Sequence, residues 1–231
     1  MGHRVTIDHL VWDWNGTLFA DGRALIESTI EAFSTAGMPQ ITRQLYQHHH
    51  AQPIHEFYDR LAGRVLTERE QAVLAEQFQA AYLKRRDTIS LTSDAVEALT
   101  LWTDTGRTQS LLSMYPHERL LPLVEKTGIR DYFTMVDGLV GDESHRKAPH
   151  LERQLDKLSL APDRVLLIGD SADDALAARA CGVRCLLYHA GEHALHSRDH
   201  FSSLDALVVE GLREAVELVL GMERQVGQLI E

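Results

Sequence analysis

Residues 9–20, HLVWDWNGTLFA, decide how the rest of the chain is read. His9 to Trp12 form a mostly apolar run that ends at Asp13. Such a run, bounded by turn residues, predicts a short central strand covered on both faces. Asn15-Gly16 then breaks it, because both residues tolerate backbone angles that β-branched residues avoid. A carboxylate is left at the C-terminal end of a buried strand beside a tight turn. In open parallel α/β sheets that edge is where ligands bind. On its own the aspartate could equally cap a turn.

The chain has 231 residues, enough for one large domain or a core with a smaller companion. Its 44% hydrophobic and 25% charged residues are those of a globular protein. A formal net charge of −11 argues against nucleic acid or an anionic membrane as partner. No apolar run approaches a membrane span, and the N-terminus, MGHRVTIDHLVWDW, lacks the apolar stretch of a signal peptide. The two cysteines, Cys181 and Cys185 in ACGVRC, suggest neither a zinc site nor a disulfide framework. The expectation is a reduced, cytoplasmic protein.

From Asp21 the chain turns helical. DGRALIESTIEAFSTAGM places Leu25, Ile26, Ile30 and Phe33 at roughly helical spacing and ends at Gly37. ITRQLYQHHH, PIHEFYDRLAG and LTEREQAVLAEQFQAAYLKRRD continue the pattern, the last opening on a Thr67/Glu70 capping box. With no strand between residues 22 and 90, this block should form a lobe of its own. It contains His48, His49, His50 and His55. Adjacent residues on a helix point in different directions, so these imidazoles are expected as a polar surface or loop cluster rather than a metal site.

Beyond the helical block, helices and strands alternate. SDAVEALTLWTDTG, PHERLLPLVEKTG, APHLERQLDKLSL and SADDALAARACG read as helices. TQSLLSM, YFTMVDGLVG, RVLLIGD and VRCLLYH read as strands, and an amphipathic helix is expected from about Val208 to the end. Alternation of this kind implies a parallel, doubly wound sheet with right-handed crossovers. Its C-terminal edge would collect Asp13, Ser113 and Asp170, with Asp173 and Asp174 in the first turn of the following helix. Lys147, in SHRKAPH, precedes another helix.

Each residue has an ordinary explanation: a strand-end serine, a solvated lysine, aspartates complementing a helix dipole behind a Ser171 cap. Together they are harder to dismiss. Several carboxylates in one cleft repel unless a cation lies among them, and hard oxygen ligands suit Mg²⁺. A hydroxyl and an ammonium beside them suit a phosphoryl group.

On four ordered motifs (DWNGTL, LLS, Lys147, and GDSADD followed by ALAARACG) the chain resembles the haloacid dehalogenase superfamily, most closely its phosphoglycolate-phosphatase-like members. The resemblance covers nearly the whole chain. It implies a Rossmann-like core, residues 1–19 and 93–231, with an all-helical cap, residues 20–92, inserted after the first motif. It implies a Mg²⁺-dependent phosphatase that hydrolyses a small phosphorylated metabolite. Asp13 would be the nucleophile that becomes an aspartyl phosphate. Trp14, Asn15, Ser113, Met114 and Lys147 would surround the phosphoryl group, with Lys147 offsetting charge near Asp13. Asp13, Asp170, Asp174 and the main-chain carbonyl of Asn15 would hold Mg²⁺, with Asp173 as an alternative to Asp174.

One position departs from the family pattern. Phosphatases of this superfamily usually carry Asp two residues after the nucleophile, as the acid that protonates the leaving group and then activates water. Here Asn15 stands there, and an amide does not shuttle protons near neutral pH. Two further readings follow: a weakened phosphate-binding or regulatory protein, and a phosphotransferase. A dehalogenase is disfavoured by the acidic GDSADD stretch, because dehalogenation needs no metal.

Overall fold

The computed structural model describes residues 6–51, 53–141, 146–204 and 206–228. Strand β1 (His9–Trp12) is fully buried and lies between β2 (Thr108–Pro116) and β4 (Val165–Gly169). With β3 (Val136–Leu139), β5 (Arg184–Tyr188) and β6 (Leu207–Val209) they form one sheet in the order β3-β2-β1-β4-β5-β6, every pairing parallel. This is the doubly wound arrangement that the alternation predicts.

Strand residues alternate between the faces, so each face packs its own helices. Leu10, Trp12, Leu111 and Ile168 join α5 (Ala95–Thr103), α6 (His117–Lys126) and α9 (Leu212–Gln228) through Trp102, Leu120 and Val216. Val11, Leu112 and Leu167 pack on the other face against Leu151 and Leu155 of α7 (Ala148–Leu158) and Ala177 and Ala178 of α8 (Ala172–Ala180).

Between β1 and α5 lie α1 (Gly22–Thr35), α2 (Arg43–His49), α3 (Ile54–Ala62) and α4 (Glu68–Arg86). They enclose an apolar cluster with Phe33, Tyr46, Phe57, Tyr58 and Leu74 at its centre, which Leu195 from the segment after β5 joins. The capping box of α4 is formed, Thr67 and Glu70 satisfying each other's main-chain N–H groups. The segments that enter and leave this block run side by side: the Ala20 N–H donates to Ser90 O at 3.0 Å and the Thr92 N–H to Leu18 O at 2.9 Å. Among the described residues no helix is long and apolar enough to cross a membrane.

Three elements differ from their sequence reading. β2 does not stop near Ser113 but continues to Pro116, its pairing with β3 shifting register between Leu112 and Pro116. β3 is confined to Val136–Leu139, because Arg130–Tyr132 form a 3-10 turn first. At the C-terminus, Leu207–Val209 add an edge strand to β5, and the last helix begins only at Leu212. A three-residue apolar run continuous with an amphipathic helix carries too little periodicity to be separated from it. Residues 229–231, into which the sequence pattern extends that helix, and Ser144 and His145 of SHRKAPH lie outside the described residues.

Candidate active site

The parallel register places Trp12 opposite Leu111 on one side and Ile168 on the other. Asp13 is therefore the first residue beyond β1, its N–H still donating to Ile168 O at 2.9 Å. Asp170 is the first residue beyond β4, and Ser113 lies in the shifted stretch of β2. These neighbouring strand ends bring Asp13, Ser113 and Asp170 to one edge.

Two glycines permit the approach. Gly16 has φ +75°, and a Cβ there would collide with the Asp170 carboxylate. A Cβ at Gly169 would collide with the Asp174 side chain. Any side chain at either position would push an aspartate out of the cleft.

Asp13, Asp170 and Asp174 are buried, and each offers a carboxylate oxygen lying within 4.8 Å of the other two. Lys147, 3% exposed, donates through Nζ to both Asp13 and Asp174. Asp174 also completes a capping box with Ser171, so α8 itself fixes one face of that carboxylate. Asp173 is turned elsewhere, its Oδ2 accepting the Lys147 main-chain N–H at 3.0 Å. It orients the lysine loop and stays outside the cluster.

Fully ionised, three carboxylates against one ammonium leave two negative charges in a buried site. Burial pushes the Asp13 carboxyl up to about 7, against the pull of Lys147 and helped by Asp174. Burial, then Asp13 and Asp174, hold Asp170 well above the ordinary carboxylate range. Burial by itself would lower Lys147, but the two carboxylates outweigh it and keep the ammonium charged. Asp170 Oδ2 is buried without a hydrogen-bond partner among the described residues. An orphaned, hard oxygen beside two further carboxylates fits a small divalent cation.

The remaining expected residues divide. Ser113 is buried and its hydroxyl lies 3.5 Å from Asn15 Oδ1 while accepting the Tyr115 N–H at 3.0 Å. Met114 is half-buried on β2, one residue further on. Trp14 turns its indole into the core, stacked on Phe19 with centroids 4.9 Å apart, so only its main chain faces the cleft, donating to Asp13.

Two residues packed against the loop after β1 are not singled out by sequence reasoning. Thr17 is fully buried and its hydroxyl donates to Asp13 Oδ2 at 3.2 Å. Asp21, also fully buried, accepts from Asn15 Nδ2, the Gly16 N–H and the Tyr82 hydroxyl. Burial pushes its carboxyl up to about 6 against those donors. Thr17 could have been found from its place inside DWNGT. Asp21 stands where a helix cap is expected, which conceals it.

The histidines do not behave alike. His48 and His55 are exposed and His49 is half-buried, as a polar surface cluster requires. His50 is not part of it. It is buried, stacked against Tyr46, and its Nδ1 meets His196 Nε2 at 3.2 Å. His196 is buried too and stacks on His200. Among the described residues, these rings do not form a group close enough to share an ion.

A family profile described as haloacid dehalogenase-like hydrolase matches residues 7–182. A probable phosphoglycolate phosphatase of Pseudomonas putida is 29% identical over 160 residues, covering 66% of this chain and 62% of that protein. The phosphoglycolate phosphatase of Salmonella typhimurium is 27% identical over 179 residues, covering 75% and 63%. The chain thus spans somewhat under two thirds of the length of these curated relatives. Among solved structures, a putative phosphoglycolate phosphatase from Lactobacillus delbrueckii superposes with a TM-score of 0.78 at 17% identity, covering 94% of this chain and 99% of that one. That likeness concerns the fold.

Proposed function

The chain belongs to the haloacid dehalogenase-like hydrolase family, and on that premise we propose that it is a Mg²⁺-dependent phosphatase acting on a small phosphorylated metabolite. The observation that carries this reading is the buried set Asp13, Asp170 and Asp174, with Lys147 bonded to two of its members. Asp13, Asp170, Asp174 and the Asn15 carbonyl would hold Mg²⁺, which when bound supplies positive charge against the phosphoryl oxygens. Asp13 attacks phosphorus; the new bond is Asp13 Oδ–P, and the bond to the leaving oxygen breaks. Ser113 and Lys147 hold phosphoryl oxygens during that step, and Thr17 keeps the Asp13 carboxylate aimed. Water then cleaves the aspartyl phosphate and releases inorganic phosphate.

The helical block, residues 20–92, serves in this reading as the cap over a core of residues 1–19 and 93–231. Its similarity to phosphoglycolate phosphatases makes phosphoglycolate the first substrate to try. Cys181 and Cys185 are free thiols, which suits a reducing, cytoplasmic setting.

Asn15 supports a second reading, a phosphate-binding protein of low turnover. Phosphate release from a panel of phosphorylated metabolites, with and without Mg²⁺, separates the two. Mg²⁺-dependent release from at least one panel member supports the phosphatase. Phosphate or vanadate binding with no release supports the binding protein.

A further inference from the structure

Asp21 occupies the N-cap position of α1, yet its side chain makes no capping bond to that helix. The usual reason for an aspartate there is therefore missing. Instead the carboxylate points back into the loop after β1, fully buried. Oδ1 accepts the Gly16 N–H at 2.8 Å. Oδ2 accepts Asn15 Nδ2 at 2.5 Å and the Tyr82 hydroxyl, from α4, at 2.8 Å. All three partners are neutral donors. A buried carboxylate held only by neutral donors is expensive to fold around, so its place against Asn15 calls for a reason.

The reason lies in the two ends of the Asn15 amide. A carboxylate only accepts, so the end of Asn15 that meets Asp21 must be the amino group. The carbonyl end then faces the other way, towards Ser113 Oγ at 3.5 Å and the cleft. We propose that Asp21 is a positioning residue that locks the Asn15 amide so that a carbonyl oxygen, and no N–H donor, is presented to the phosphoryl group. Tyr82 holds Asp21 in turn from the helical block.

The consequence separates the two half-reactions, and it rests on the phosphatase reading. Departure of a leaving group is helped by a donor, and the locked amide offers none. Attack by water is helped by an acceptor that aims its O–H, and Asn15 Oδ1 is such an acceptor. The water oxygen bonds to phosphorus, the Asp13 Oδ–P bond breaks with its electron pair returning to the carboxylate, and both water protons end on inorganic phosphate. No proton has to rest on Asn15. The chemical class this favours is phosphate esters and anhydrides whose leaving groups depart unprotonated: acyl, enol and aryl phosphates.

The test is a double-mutant cycle on Asn15→Ala and Asp21→Asn, read as breakdown of the phosphoenzyme in single turnovers of an aryl phosphate with Mg²⁺. An asparagine at position 21 exchanges one acceptor oxygen for an N–H donor and removes the charge, so the hold on the Asn15 amide is weakened. Breakdown should slow by about tenfold or more in either single variant, as expected for loss of an oriented contact, and the double variant should be no slower than Asn15→Ala alone. Phosphoenzyme formation should change little in Asp21→Asn. Additive losses, or equal losses in both half-reactions, would make Asp21 a merely structural residue and overturn the proposal.

A readout independent of turnover guards against failure of the phosphatase reading or of a variant's folding. In the native protein the Asn15 side-chain amide should give two well-separated proton resonances protected from exchange. Tyr82→Phe, which removes one bond from Asp21, should reduce that protection, Asp21→Asn should reduce it further, and Asp21→Ala, which leaves no acceptor, should abolish it. An unprotected Asn15 amide in the native protein refutes the lock even if the enzyme is active.

Discussion

Two buried clusters of ionisable side chains among the described residues solve the same problem in opposite ways. At the C-terminal edge of the sheet, Asp13, Asp170 and Asp174 are crowded around the Lys147 ammonium, and one Asp170 oxygen has no hydrogen-bond partner among the described residues. Where the helical block meets the segment after β5, His50 and His196 are buried against each other, with His200 stacked behind. The histidines tolerate burial by staying neutral: burial pushes His50 down to about 4 and His196 to about 2. The carboxylates are held where full ionisation would leave two unbalanced negative charges, and burial with mutual repulsion raises Asp13 and Asp170 against that excess. A site that gathers acidic groups where neutral packing was available is organised around something charged that binds there.

The sharpest way to stress the acidic side of this contrast is to add a carboxylate to it. Asn15→Asp keeps the size of the side chain and supplies the missing acid, at the cost of further repulsion near Asp13 that a bound cation must offset. It also sets a second carboxylate against Asp21. With saturating Mg²⁺, turnover of an alkyl phosphate should rise by about 10²–10⁴-fold, the usual reach of general acid–base catalysis. The gain should be smaller for an aryl phosphate. Equal rates for native and variant on the alkyl ester would mean that another group already delivers the proton.

Removing the ammonium is the next largest perturbation. Lys147→Ala leaves three buried carboxylates uncompensated, and breaking a buried pair of this kind lowers stability by about 3–5 kcal/mol. Urea unfolding in chelator measures the loss. Vanadate binding by the folded fraction should weaken by about tenfold or more, the size of a charged hydrogen bond. Stability and vanadate affinity both close to native would remove Lys147 from the site.

On the histidine side the lever is pH. In the folded protein His50 titrates near 4, below its ordinary 6.5, so the unfolded chain binds the proton first. Its contribution is therefore fully present above pH 6.5 and is lost as the pH falls from 6.5 through 4. Complete loss corresponds to about 3 kcal/mol. Asp13 has the opposite sign: its folded value of about 7 lies above its ordinary 3.8, so without a cation its contribution is present at low pH and lost as the pH rises from about 4 through 7. Unfolding curves from pH 7.5 to 4 in chelator and in Mg²⁺ distinguish the two. Mg²⁺ should remove the acidic slope and leave the histidine slope, and His50→Phe should reduce the latter to the part that His196 and His9, also held below their ordinary values by burial, contribute. A pH profile unaffected by His50→Phe would refute the buried neutral pair.

The smallest expected effect has an unusual sign. Asp170→Asn removes one charge from the cluster, so the metal-free protein should become more stable by on the order of 1 kcal/mol. Its Mg²⁺ affinity should fall. Calorimetry showing native affinity in the variant would take Asp170 out of the cation site.

How far each cluster can be read from sequence follows from where its partners lie in the chain. β1 and RVLLIGD are legible because a strand buried on both faces is a continuous apolar run, and the aspartate ending each run falls on the same edge. Lys147 and Asp174 become legible only through motif order, since neither position has a local signal beyond an ordinary helix start. Asp21 looks like a helix cap, and its actual role depends on Tyr82, 61 residues away. The burial of His50 depends on His196, 146 residues away, in a segment without periodic structure. Tertiary partners at such separations leave no trace in periodicity or spacing.

The central claim, that the charged cluster exists to make and break a bond to Asp13, is tested most directly by trapping that bond. The protein is mixed with an aryl phosphate and Mg²⁺, quenched in acid within a single turnover, and digested for mass spectrometry. One phosphoryl group is expected on Asp13, absent when Mg²⁺ is omitted and absent from Asp13→Asn. Turnover without label on Asp13, or label on a different residue, would contradict it.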